Sequence, residues 1–246
     1  MLTTVFFDLD ATLVDFGPAA WRATVRAVCR RLAAGTPGLD PGRLADRYVA
    51  RYVARARAAG PGAQHPPGSI PAARTVWLGL WRQALTECGH PGLAGAAVEA
   101  YIDQRRTDYA LYDDVLDTLA ALRGNGRTLG VITNGPGDAQ RAKIAATGLT
   151  RYLDLVVISG EVETAKPGRE IFDLALARAG RSAADACHVG DSLATDVAGG
   201  GRAADLGAAV WLNRAGLAPA SGTDTGSHRI TTLRALPGLL HGLDDR

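Results

Sequence analysis

Apolar residues fall into two patterns along this chain, and the change from one to the other marks its organisation. Five short runs are apolar at most positions and end at polar or glycine-containing turns: Thr3–Phe7, Thr128–Ile132, Leu155–Ile158, Ala186–Val189 and Ala208–Leu212. Such runs predict strands buried on both faces. Between the later ones, apolar residues recur at helical spacing over Gly137–Thr147, Arg169–Ala179 and Leu193–Ala204. Strand and helix alternating in this way predict an α/β fold, a doubly wound parallel sheet. From Phe16 to about Ala110 the alternation stops. That interval is rich in Ala and Arg, with helical spacing broken at Thr36–Pro41, Gly60–Pro71 and Gly89–Gly95. It predicts about four helices forming a separate lobe. The expected domains are a core of residues 1–16 and 111–246 and an inserted helical-bundle cap of residues 17–110. Ala218–Ser227 reads as an exposed loop and Leu233–Leu240 as a short closing helix; no internal repeat is present.

Composition narrows the function classes. The chain has 246 residues, is 47% apolar and carries a net charge of +2. That is enough apolar material for a real core, and too little positive charge for a nucleic-acid surface. Val5–Leu13 is too short, and too interrupted by acids, for a signal peptide or a membrane span. Cys29, Cys88 and Cys187 are odd in number and lack metal-like spacing, which suits reduced thiols in a soluble cytoplasmic protein. Nearly all basic residues are Arg. The only lysines are Lys143 and Lys166, which singles them out, because Arg would serve solubility equally well.

Candidate chemistry collects where the predicted strands end. Val5–Asp15 reads VFFDLDATLVD. Asp8 and Asp10 fall on one side of an extended backbone, and two carboxylates so close call for a cation or a shared proton. The plain alternative is a strand end and turn, where Asp is common. Thr128–Gly135 ends in Thr133, Asn134 and Gly135, where a hydroxyl and exposed backbone N–H groups would cradle an anion; an ordinary helix cap is the alternative. Ala165–Phe172 reads AKPGREIF, and Pro167 would hold Lys166 in one direction, its ammonium facing phosphate or a carboxylate. A solvated surface lysine is the bland reading there. Cys187–Gly200 reads CHVGDSLATDVAGG, with Asp191 after a strand and Asp196 about one helical turn on, both aimed at one site. Asp191 or Ser192 as a helix N-cap is the alternative. All-oxygen ligands beside a phosphate suit magnesium better than zinc.

The ordered segments DLDAT, TNG, KP and GDSLATD resemble the haloacid dehalogenase superfamily, in its phosphatase branch with a helical cap inserted after the first motif. The likeness spans nearly the whole chain. GDSLATDVAGG…GAAVWLNRAG, together with VFFDLDATLVD, is most similar to the N-acylneuraminate-9-phosphatase and pyrimidine-nucleotidase-like group. The sequence departs at Ala11, where many relatives have Gly. The resemblance implies a Rossmann-like core and a magnesium-dependent phosphatase acting on a small phosphorylated metabolite through an aspartyl-phosphate intermediate. It implies Asp8 as nucleophile and Asp10 as acid and base. Magnesium would be held by the Asp8 carboxylate, the Asp10 carbonyl and Asp191, with Asp196 binding directly or through water. Thr133, the Asn134 backbone and Lys166 would hold the phosphoryl oxygens.

Other residues weigh less. His188, inside a buried strand, reads as a hydrogen-bonded core residue. His65, His90, His228 and His241 have nothing to bring them together. Trp21, Trp77 and Trp81 read as cap packing, with room for one to face the cleft, and Asp15 as an extension of the acidic loop or, preferred, the cap of the first cap helix. Three rivals stay open: a 2-haloacid dehalogenase, which needs no magnesium and typically lacks an acid where Asp10 stands; a phosphomutase with the same catalytic residues; and a binding module with a dead site. The expected partner is a small metabolite and neither nucleic acid nor membrane, with the chain a monomer or homodimer.

Overall fold

The computed structural model describes residues 1–59, 70–107, 109–216 and 228–245. In chain order its elements are β1 (Thr4–Phe7), α1 (Pro18–Ala34), α2 (Pro41–Ala59), α3 (Ile70–Glu87), α4 (Ala94–Thr107) and α5 (Val115–Gly124). Then follow β2 (Thr128–Thr133), α6 (Gly137–Ala146), β3 (Leu155–Ile158), the single turn α7 (Ser159–Val162) and α8 (Arg169–Ala179). The chain continues through β4 (Ala186–Gly190), a π-helix (Leu193–Ala203), β5 (Ala208–Leu212), β6 (His228–Ile230) and α9 (Leu236–Asp244). The predicted loop at Ala218–Ser227 and His65 lie outside the described residues.

All six strands are parallel, in the order β3-β2-β1-β4-β5-β6. Because strand order reverses between β1 and β4, a crevice opens beyond their carboxyl ends, which is where open α/β sheets bind ligands. The period of two is visible in β1. Val5 and Phe7 join Leu129, Val131, Val189 and Val210 beneath α5 and α9. Phe6 points the other way, to Ile132, Val157 and the α8 residues Ile171 and Phe172. The five predicted strands are present; β6 and α5 are additions. β6 has only three residues and pairs one side of β5, too short for a periodic signal.

The π-helix corrects an expected α-helix. Its wide winding shows in the amide of Ala204 donating to the carbonyl of Gly199 and that of Val197 to Ser192, five residues apart. The run Gly199–Gly201 permits it: a Cβ on Gly199 would meet the Phe172 ring at 2.7 Å.

The helices α1 to α4 own a third apolar cluster, with Val25, Leu44, Tyr48, Trp77, Trp81, Leu85, Val98 and Tyr101 at its centre. Tyr48 stacks on Trp81 with ring centroids 3.9 Å apart, and Trp77 meets Tyr101 edge-on at 5.4 Å. Trp77 and Trp81 are therefore packing residues, as their shared helix face predicts. The chain enters and leaves this helical segment side by side. Val14 bridges Leu111 in antiparallel fashion, and the amide of Asp15 donates to the carbonyl of Ala110 at 2.8 Å. Asp15 does not cap α1: the N-cap is Gly17, Pro18 opens the helix, and Asp15 bonds the Tyr112 hydroxyl instead. No described helix is long and apolar enough to cross a membrane.

Candidate active site

Four strand ends deliver polar groups to one cavity of about 540 Å³. β1 runs directly into Asp8, whose amide donates to the carbonyl of Val189 on β4 at 2.9 Å, so the nucleophile candidate is pinned at the switch point. The turn after it closes through Ala11 N to Val14 O, 2.9 Å. Ala11 itself sits in the left-handed region at φ 60°. That conformation favours glycine, which is a structural reason for Gly at this position, and nothing in the structure explains the Ala.

Three carboxylates converge. Asp8, Asp191 and Asp196 each offer one oxygen within 4.8 Å of the others. Lys166, 2% exposed, binds two of them: its Nζ donates to Asp8 Oδ1 at 2.7 Å and to Asp196 Oδ1 at 2.6 Å. Asp196 is fully occupied, since His188 Nε2 lies 3.0 Å from Oδ1 and the amide of Ser192 donates to Oδ2 at 3.0 Å. The Ser192 hydroxyl in turn accepts from Thr195 N, a reciprocal cap. Ser192 thus does cap the helix, and Asp196 serves both the cap and the site. Gly190 is required there, because a Cβ would stand 2.2 Å from Asp196 Cγ.

Charge states follow from this crowding. Burial, with the Asp196 and Asp10 charges added, pushes Asp8 up to about 7 despite Lys166. Burial, then Asp8 and Asp196, pushes Asp191 up to about 8. Asp196 goes the other way: burial raises it, but Lys166 and His188 outweigh that and hold it well below the usual carboxylate range. Burial opposes the Lys166 charge, yet Asp196 and Asp8 together raise its pKa. Two strained carboxylates beside a firmly ionised one fit a hard divalent cation, which would take up the excess negative charge.

Asp10 stands apart from that cluster. Lys143 Nζ donates to both its oxygens, at 2.6 and 2.7 Å, and Gln140 Nε2 to Oδ2 at 3.1 Å. Gln140 also donates to Thr133 Oγ1 at 2.8 Å. Lys143, fully buried on α6, and Gln140, one turn before it, are site residues that sequence reasoning did not assign. The scarcity of lysine could have flagged Lys143.

The remaining predicted residues arrive with altered parts. The Asn134 side chain clamps the backbone of Lys166, donating to its carbonyl and accepting from its amide, both at 2.9 Å. The orientation of Lys166 is therefore set by Asn134 as well as by the following proline. The amide of Gly135 is spent on Ser159 Oγ at 3.0 Å, so it is not an exposed cradle group. His188 is the expected core residue, edge-on to Phe172; burial lowers its pKa, keeping it neutral. Trp21 is the tryptophan that faces the cleft, its Nε1 donating to the Tyr101 hydroxyl at 2.9 Å.

Residues 2–204 match the haloacid dehalogenase-like hydrolase family. The chain is 31% identical over 244 residues to N-acylneuraminate-9-phosphatase of Mus musculus, covering 98% of this chain and 94% of that one. It is 38% identical over 168 residues to phosphoserine phosphatase of Thermus thermophilus, 66% of each. Among solved structures, the 2-haloacid dehalogenase of Pseudomonas syringae superposes with a TM-score of 0.65 at 27% identity, covering 98% of this chain and 99% of that one. Motif order, parallel sheet and converged strand ends agree with the whole-length match: the chain belongs to the haloacid dehalogenase-like hydrolase family.

Proposed function

We propose that this chain is a magnesium-dependent phosphomonoesterase acting on a small phosphorylated metabolite. The observation that carries the reading is Asp10, a carboxylate two residues beyond Asp8, held at the same cavity by Lys143 and Gln140. Displacing a halide from carbon needs only a nucleophile, whereas an alkoxide leaving phosphorus needs a proton. An oriented acid is the group that supplies it. The phosphatase names of the mouse and Thermus relatives support the same reading.

In this reading Lys166 holds one oxygen of Asp8, and the other attacks phosphorus in line, forming an aspartyl-phosphate. Asp10 protonates the departing alcohol and then takes a proton from the water that hydrolyses the intermediate. Such acid–base help is worth about 10²–10⁴ in rate. Thr133, the Asn134 backbone and Lys166 hold the phosphoryl oxygens. Magnesium, held by Asp8, the Asp10 carbonyl and Asp191 with Asp196 behind them, would neutralise phosphoryl charge. Residues 1–16 and 111–246 act as the catalytic core and residues 17–110 as a cap that excludes water and selects the substrate. Buried free thiols at Cys29 and Cys187 suit a reducing cytoplasm.

Phosphate release across a metabolite panel, with halide release from 2-chloropropionate measured in parallel, tests the assignment. We expect phosphate alone, dependent on magnesium. Asp8→Asn should lower kcat by at least about 10³-fold while the protein stays folded. Halide release by the unaltered protein, or full activity in that variant, would sink the proposal.

A further inference from the structure

The cavity wall opposite the carboxylates is cationic. Arg22, Arg57 and Arg105 reach it from α1, α2 and α4, and among the described residues no acid of that helical segment lines it. Arg22 and Arg57 are exposed, but Arg105 is partly buried and differently held. Its Cζ lies 4.7 Å from the Phe16 ring centroid, 5.4 Å from Trp77 and 5.5 Å from Tyr101. Its Nη1 donates to the Tyr101 hydroxyl at 3.2 Å. Among the described residues no carboxylate comes within ion-pairing distance of it. A guanidinium has five N–H donors, and a desolvated cation without a counter-ion is costly.

The position of that guanidinium relative to the chemistry is fixed by Phe16. Lys143 Nζ stands 5.0 Å from the same ring centroid while it binds both oxygens of Asp10. Among the described residues, Asp10 therefore has two cations about it, Lys143 bonded to both its oxygens and Arg105 across the Phe16 ring with no carboxylate in ion-pairing range. A planar fork with one charge to balance matches a carboxylate; a second phosphoryl group would bring nearly two. The aromatic rings shield part of the guanidinium from solvent, which strengthens the pairing.

We propose that Arg105 seats a carboxylate carried on the alcohol half of the substrate, so that the substrates are phosphate monoesters of hydroxy acids. The inference rests on the phosphomonoesterase reading and adds the substrate class to it. Arg105 is then the specificity-determining residue of the helical segment.

The test compares kcat/KM for 3-phosphoglycerate and glycerol 3-phosphate in the unaltered protein, Arg105→Met and Arg105→Lys. The unaltered protein should prefer the acid at least tenfold. That ratio should fall tenfold or more in Arg105→Met, through KM, and less in Arg105→Lys, which keeps the charge but loses the fork. If Arg105→Met does not fold, the ratio in Arg105→Lys decides. No preference for the acid, an unchanged ratio in the folded variants, or higher kcat/KM for propane-1,3-diol bisphosphate than for the acid overturns the proposal. Should no ester be hydrolysed, the phosphatase reading fails separately. Calorimetry with phosphonoacetate and methylphosphonate then decides: tighter binding of phosphonoacetate that Arg105→Met abolishes supports the seat, and equal binding overturns it.

Discussion

The two walls of the cavity hold their charges in opposite ways. On the sheet side, Asp8, Asp10 and Asp196 are each bonded to a buried lysine, and Asp196 has a partner for every oxygen. On the helical side, stability comes from stacked rings such as Tyr48 on Trp81; Arg22 and Arg57 are exposed at the wall, while Arg105 rests against Trp77 and Tyr101 of that core. A buried polar network tolerates no missing member, so the sheet wall is over-determined. The helical wall is held from behind. Among the described residues Arg105 has ring and hydroxyl partners but no ion pair, which leaves its charge available for a ligand.

The sharpest way to break this contrast is Lys166→Met. It leaves Asp8 and Asp196 buried without their cation, and thermal unfolding should show a loss of about 3–5 kcal/mol along with loss of phosphate release. Trp81→Ala should cost a comparable or slightly smaller amount, about 3–5 kcal/mol for a buried aromatic. It should do so with kcat on an aryl phosphate within tenfold of the unaltered value. Equal damage to kcat from both would erase the distinction between the walls.

A pH series sharpens the picture further. Asp8 and Asp191 are raised to about 7 and about 8 from 3.8, so the folded protein keeps protons that the unfolded chain has released. Their contribution to stability is complete below about pH 4 and is lost as pH rises through 7 to 8. Asp114 behaves oppositely. Burial pushes it up, but Arg214, Thr232 and the amide of Leu233 bring it down to about 2, so its contribution is present above 3.8 and lost as pH falls through 2. Metal-free protein should therefore show a Tm that declines from pH 5 to 8, and excess magnesium should flatten the decline. A flat metal-free profile would contradict the crowding of Asp8 and Asp191. The smallest effect expected is that of Ala11→Gly: relief of the left-handed φ of 60°, offset by the greater freedom of glycine when unfolded. The net gain in stability should be under about 1 kcal/mol.

The sheet and its polar strand ends were legible because each signal is local: an apolar run followed at once by Asp8, Thr133 or Asp191. Lys166 stood out through the rarity of lysine. The same argument applied to Lys143, but it sits inside a helix that reads as ordinary, whereas Lys166 stands in a turn before a proline. Nothing in the spacing of α4 says that Arg105 turns to the cavity, since that depends on how four helices pack against Phe16. Asp15 misled because a helix cap was expected nearby, and Gly17 with Pro18 opens the helix without one. The π-helix could not be read at all, because glycine-rich helical spacing does not distinguish wide from ordinary winding.

The side-by-side crossing of Val14 and Leu111 has a consequence for how such proteins diversify. An excursion whose two ends share one doorway can be exchanged for a shorter, longer or differently shaped one without rerouting either flanking strand. New chemistry at the phosphate would demand rebuilding several distant loops at once, whereas a new appetite for alcohols needs only a graft at that single doorway.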